Sequence, residues 1–431
     1  MNIRPHQPRS RRVPFRLAVA GLALLSVACL GDAGSARATS RHRPFRPTPA
    51  PKHTGVVMGM RWGIEEDEDP TAMVVDGAEA FVVDPNSVAD HDPADGHLRW
   101  KTDVKDAEPG VAVDGETVLV AAVDGFEALD RPTGHSRWRV EIADPYDRGR
   151  IVGLVPTPSG PVAVTVTDRG VVTGLDAQSG IPRWSRTLDG TPQGEVVADP
   201  ARSGAVVVMN RGDHVDLVVL DAATGAPRWV RPLEAATGLP VVDGDQLVIG
   251  TGAVLGAGVV RSYDLVTSAP DWETPVEASS EPDQGPVVDG PRILNVSNAG
   301  YLTALDRRTG AKRWTRRLPD IVFHGRPVVF GDVVIVGSMA SELFTVDRTT
   351  GRPRARMIMT GAPVALGAGV GGLVYARGDV HRHQLVGLPA EIATHRTNWT
   401  GSYESWTPQR MRDSLREWRR THGPTLEPER S

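Results

Sequence analysis

Seven versions of one turn, Asp-x-x-Thr-Gly-x-x-x-Trp, recur along this 431-residue chain at steps of 38 to 46 residues. A period of that size restricts the chain to stacked or circular repeats. The clearest copies run from Asp130 to Trp138, from Asp221 to Trp229 and from Asp306 to Trp314. The others change one position: Asp92 to Trp100 has Asp95 for Thr, Asp176 to Trp184 has Ser179, and Asp264 to Trp272 has Ser268 for Gly. Asp347 keeps Thr350 and Gly351 but reaches Ala355 where the others have Trp.

Each unit reads as strands. Short apolar runs such as Arg292 to Val296 and Leu302 to Leu305 are separated by a turn signal, Asn298-Ala299-Gly300, in the pattern of hairpins. The Asp-x-x-Thr-Gly segment is a further turn, whose Asp accepts a nearby backbone N–H and whose Gly supplies a positive φ. Three or four strands in about 42 residues make one propeller blade per period. One further step lands at Pro389, where Gln384 to Leu388 resembles the approach strand of the other units without a Trp after it. Val56 to Trp62 is an orphan strand ending in Trp, expected to supply the outer strand of the last blade. The expected fold is therefore all-β, an eight-bladed propeller over 56–390, with a seven-bladed ring plus an appended last unit as the alternative.

The fuller pattern Ala-x-Asp-x-x-Thr-Gly-x-x-x-Trp, present as Ala128 to Trp138 and Ala304 to Trp314, resembles the tryptophan-docking motif of the pyrroloquinoline-quinone-like repeat propellers. The resemblance covers roughly 56–390 and implies that Trp62, Trp100, Trp138, Trp184, Trp229, Trp272 and Trp314 lock neighbouring blades together. It does not imply a bound quinone. The quinoprotein alcohol dehydrogenases of this superfamily have a vicinal disulfide, a calcium site of Glu and Asn, and an Asp base. This chain has one cysteine, Cys29, so that disulfide cannot form, and no such Glu/Asn/Asp set carries over. The chain looks more like the non-enzymatic branch, typified by the lipoprotein of the outer-membrane assembly machine. That likeness implies no catalytic activity, no cofactor and no metal, and a monomer that binds protein partners at the envelope. A quinone-dependent dehydrogenase-like propeller or small-ligand sensor is the alternative, and a secreted repeat protein with no specific ligand is a third.

Residues 1–38 read as an export signal: a basic start (Arg9, Arg11, Arg12, Arg16), an apolar run from Leu17 to Leu30, and Ala36-Arg37-Ala38 before the cleavage point. Ser10 to Phe15 resembles a twin-arginine signal with altered spacing, and Ser26 to Cys29 an imperfect lipobox that makes Cys29 a candidate lipidation site. The expected location is outside the cytoplasm, secreted or held at the outer face of the cytoplasmic membrane, with a lipid anchor as the only membrane contact. Residues 1–38 contain six Arg and one acid, so the remaining chain has 42 basic and 52 acidic residues and a net charge of −10. Nucleic acid is not an expected partner at that charge. Residues 39–55, with Arg41 to Pro47, read as an extended Pro/Arg-rich linker.

Other candidate sites reduce to structure. Glu65 to Asp69 is a run of five carboxylates whose alternating directions in extended chain prevent convergence on one ion. His381 and His383 share a strand face but have no third ligand at an informative spacing. Gly250 to Gly258 reads as a hairpin tip, since no helix follows it. The tail 391–431 holds Trp399, Trp406 and Trp418, and Thr407-Pro408 opens a helix expected at about 408–421. Met411, Leu415 and Trp418 then form one apolar stripe, either packed on the propeller or offered to a partner. Deleting 391–431 is expected to lower the melting temperature markedly; unchanged stability with lost binding would assign the stripe to a partner.

Overall fold

A computed structural model describes residues 62–388, except 66–67, 235, 253–256, 278–283, 298, 319–324, 339–341, 359–362, 370–371 and 378–383. Cys29, His381, His383, Met411, Leu415, Trp418 and the expected tail helix lie outside the described residues.

Every described element is a β-strand, and the strands form eight antiparallel sheets that follow one another along the chain. Sheet 1 contains Ala72–Asp76, Glu79–Asp84, Ser87–His91 and Leu98–Asp103 in that order. Sheets 2 to 7 repeat this meander over 107–141, 149–187, 191–234, 236–276, 287–317 and 328–358, with an extra strand in sheet 5. Sheet 8 joins 363–388 to the distant strand Trp62–Glu65, paired Trp62 with Gly387 and Ile64 with Leu385. The described strand runs on from Trp62, where the sequence pattern had it end, to Glu65, and residues 56–61 lie outside the described part. The reason is register: in the other sheets the Trp strand begins just before the indole and runs on past it, as in Ser136–Glu141.

The second strand of a sheet is covered on both faces, which explains continuous apolar runs such as Thr117–Ala122 and Val162–Thr167, buried at every position. Fourth strands are edges, and their residues accordingly alternate with solvent. A separate apolar cluster fills each contact between consecutive sheets, for example Leu119, Phe126, Trp138, Val152 and Leu175 between sheets 2 and 3. Val82 and Leu385 pack sheet 1 on sheet 8, and Val333, Ile335, Val386 and Leu388 pack sheet 7 on sheet 8. Apolar side chains stacked between successive sheets, together with an N-terminal strand completing the last, define a β-propeller.

Antiparallel order gives the propeller two unlike faces. The Asp-x-x-Thr-Gly turns and the first hairpin turns share one, the motif face. The second-to-third-strand turns and the connections to the next sheet share the other, tied by backbone bonds such as Ile142 to Asp124 and Leu188 to Gly170.

Candidate functional site

In each motif turn, the carbonyl of the leading Asp accepts the N–H of the fifth residue, at 2.7 Å from Gly134 to Asp130 and 2.8 Å from Gly310 to Asp306. That residue sits at positive φ: 71° at Gly134, Gly225 and Gly310, and 60° at Ser268, the one L-residue here that bears the strain. The Asp carboxylate accepts the Thr hydroxyl, at 2.7 Å for Thr133 on Asp130 and 2.9 Å for Thr309 on Asp306. Asp95, in the Thr position of sheet 1, instead accepts the N–H of His97 at 2.9 Å.

The turn is a receptor for the tryptophan of the preceding sheet. The indole N–H of Trp100 donates to the carbonyl of Arg131, Trp138 to Ala177, Trp184 to Ala222, Trp229 to Leu265 and Trp272 to Arg307, all at 2.7 to 3.0 Å. The ring lies flat against the turn glycine. A Cβ on Gly134 would come within 2.5 Å of Trp100, and one on Gly180 within 2.7 Å of Trp138. Glycine therefore serves this position twice, for its backbone angle and for the indole's approach, with Ser268 the exception. Trp314 lies the same way against Gly351, yet its N–H has no acceptor among the described residues. Five of these indoles thus bond the turn of the next sheet; the side chain of Trp62 lies outside the description.

The sequence reading missed the residue before each Trp. It is Arg in six of the seven turns, and it bonds the second oxygen of its own Asp: Arg99 to Asp92 at 2.8 Å, Arg137 to Asp130 at 2.6 Å, Arg183 to Asp176 at 2.6 Å, Arg228 to Asp221 at 3.0 Å and Arg313 to Asp306 at 2.7 Å, with Arg354 on Asp347 the sixth. A β-bulge falls at this residue in each of these sheets, such as between Ala128 and Leu129, opposite Arg137. The bulge breaks the two-residue alternation, so Arg turns back to its turn while Trp reaches forward to the next sheet. The signal was legible as a recurrent Arg at Asp plus seven. Sheet 5 alone has Asp271 there, and its carboxylate accepts the Ser262 hydroxyl at 2.8 Å.

These partners set the ionisation of the turns. Arg183, opposed in part by burial and aided by Ser179, holds Asp176 at about 2; Arg313 and Thr309 hold Asp306 at about 2. At Asp347 burial pushes the other way, but Arg354 and Thr350 outweigh it and hold the group at about 2. Asp90 in sheet 1 is the opposite case. Its side chain is 1% exposed, and burial raises it to about 6 although Arg99 stands 3.5 Å away.

On the axis, the inner strands of sheets 2, 3 and 4 are irregular near their starts. These places bear charge: Glu108 pairs with Arg150 at 3.3 Å, and Glu195 with Arg326 at 2.5 Å. The Arg326 guanidinium also donates to the carbonyls of Pro240 at 2.9 Å and Pro286 at 3.5 Å. One side chain thus ties the inner ends of sheets 4, 5, 6 and 7 together. A recess of about 520 Å³ opens between sheets 4 and 5, bounded by Arg261 in ion pairs with Glu234 and Glu273, and one of about 710 Å³ between sheets 5 and 6. Among the described residues no group of three or more His, Cys, Asp or Glu is placed to hold a metal ion. Of the Glu65 to Asp69 run, Glu65 closes the first strand and Glu68 and Asp69 are exposed. Gly250 to Gly252 and Gly258 belong to paired strands of sheet 5, while 253–256, where the tip was expected, lie outside the described residues.

The fold and its docking turns define a propeller of the pyrroloquinoline-quinone-like class. The chain belongs to the family described as outer membrane protein assembly factor BamB, whose model matches residues 124–356 and 235–413. Solved structures that resemble it include BamB from Moraxella catarrhalis, 20% identical with a TM-score of 0.61, covering 77% of this chain and 100% of that one. A quinohemoprotein alcohol dehydrogenase from Pseudomonas putida HK5 is 14% identical with a TM-score of 0.59, covering 81% of this chain and 78% of that one. A europium-containing methanol dehydrogenase is 13% identical with a TM-score of 0.57, covering 76% and 85%. No curated protein matches the chain.

Two predictions follow from the turns. Trp138→Ala should cost about 3–5 kcal/mol, the usual range for a buried aromatic. Gly180→Ala should also destabilise, because its Cβ meets that same ring; equal melting temperatures for wild type and either variant would contradict the docking geometry. The pH profile should rise and then fall. Asp176, Asp306 and Asp347, depressed in the fold, contribute stability above about pH 4 that is lost as pH falls toward 2. Asp90, raised from 3.8 to about 6, makes stability decline as pH rises between those values. Calorimetry should show that Asp90→Asn removes the second slope and leaves the first.

Proposed function

We propose that the chain is an exported, non-catalytic propeller of eight blades that binds protein partners at the cell envelope or outside the cell. The observation that carries this reading is the strap formed by Arg326. Its guanidinium lies where the inner ends of four sheets converge and is held there by Glu195 and two carbonyls. A propeller whose inner strand ends are tied by its own side chain keeps its loops and faces for binding. Membership of the outer membrane protein assembly factor BamB family supports the same reading, since that name describes assembly at an envelope. The mature chain would be a monomer, carried out by residues 1–38 and held, where anchored, by lipid on Cys29. The tail stripe Met411, Leu415 and Trp418 is a candidate contact.

A second reading, a quinone-dependent dehydrogenase-like or ligand-sensing propeller, is favoured by the dehydrogenases among the similar folds. The two separate by experiment. Crosslinking and pull-down from the native envelope, with the full mature chain and one truncated at Glu391, should recover a specific protein with the full chain. Recovery of nothing by either chain, together with a quinone absorbance or fluorescence change in the presence of calcium, would overturn the scaffold reading in favour of the second.

A further inference from the structure

We infer that the face opposite the motif turns is the docking surface, with Tyr146 as its anchor and a basic protein segment as the partner; this rests on the scaffold reading above. Tyr146 is 82% exposed, more than Ile181 at 64%, Val266 at 58%, Val230 at 52% or Leu98 at 44%. It stands in the connection from sheet 2 to sheet 3, on the face where the inner strands begin.

The backbone beneath Tyr146 is fixed. Asp144 accepts the Tyr146 N–H at 2.9 Å and pairs with Arg169 at 3.0 Å. The buried Asp147 carboxylate accepts the N–H groups of Arg148 and Arg169, each at 3.0 Å. Both flanks of the tyrosine are thereby tied to the next turn of the same face. An aromatic side chain on a fixed backbone has little freedom left to lose on binding, and tyrosine is among the residues that dominate interface energies.

Chain direction places both ends of the described propeller on the motif face. Trp62 and Gly387 are paired, and both lie at the motif-face ends of their strands, so the segments before and after the described propeller attach on the motif face. Charge selects the partner. The connections 103–106, 123–125, 142–148, 168–170, 188–190 and 211–213 carry eight carboxylates and four cations. The strand residues Arg139 and Arg150 reach Asp124 and Asp168, but each also holds a strand carboxylate, Glu127 and Glu108, so the excess of four negative charges remains. On the motif face, by contrast, six Asp side chains are matched one to one by the Arg before the Trp position. A Lys- or Arg-rich segment with a hollow for one tyrosine ring complements the acidic surface.

The test places a photocrosslinking phenylalanine analogue at position 146 or 181 of the full exported chain in its native envelope. Ile181, exposed in a motif turn, is the matched position on the other face. The expected result is an adduct at 146 and none at 181, mapping to a partner peptide with an excess of Lys and Arg and weakened by added salt. Tyr146→Ala should lower recovery of that partner roughly tenfold or more, with the melting temperature unchanged. An adduct at 181 alone, or a partner recovered by pull-down with an adduct at neither position, leaves the scaffold standing and overturns the docking face. An adduct at 146 to an acidic or neutral segment overturns the assignment of the partner. No partner by either method removes the scaffold reading and this inference with it.

Discussion

The structure depends on an indole ring laid against a glycine peptide of the next sheet. A propeller sheet buries apolar side chains on both faces, but apolar packing is non-directional and would tolerate sliding. The Trp138 N–H bond to the Ala177 carbonyl and the fit of its ring over Gly180 set the register and angle of one sheet on another. The same device recurs at sheets 1, 3 and 5, and at sheet 4 with Ser268 in the glycine position. Local turn chemistry is thereby converted into long-range order, and the pairing of Trp62–Glu65 with the last sheet joins the two ends of the series.

The second constraint is electrostatic and local. Because Arg99, Arg137, Arg183, Arg228, Arg313 and Arg354 return to their own turns, six of the seven turns are braced within their own sheets. Exposed ion pairs of this kind contribute little singly. Here the pair shares its Asp with a Thr hydroxyl and sits on a bulge, so it fixes shape more than it adds stability. The unlike ionisation of Asp90 and of the turn carboxylates follows from the same comparison. Burial wins where the one Arg is shared with a second Asp, as Arg99 is between Asp90 and Asp92, and hydrogen bonding wins where Arg and a hydroxyl converge.

Much of this was legible in the chain. The spacing of aspartates gave the repeat, the apolar runs gave the strands, and the glycine of each turn announced its backbone angle. Ser268 was visible as a substitution, and the fold shows that it takes the same conformation at some cost. The bulge at Arg was not foreseen because a period-two reading assigns alternate residues to alternate faces and has no place for an inserted one. Arg326 could not have been found from sequence, since its partners Glu195, Pro240 and Pro286 come from three other repeats and share no motif with it. Tyr146 was equally silent, because exposure depends on the loop geometry set by Asp144 and Asp147.

These features describe a series of sheets coupled by indole bonds on the motif face and by Arg326 at the inner strand ends. Indole bonds from each sheet to the next should couple the sheets into one cooperative unit. Hydrogen exchange of the indole N–H groups, followed by nuclear magnetic resonance, tests it most directly. The account predicts that Trp100, Trp138, Trp184, Trp229 and Trp272 exchange together at the rate of global unfolding, while Trp314, whose N–H has no acceptor among the described residues, exchanges faster. Five separate rates, each faster than global unfolding, would contradict it.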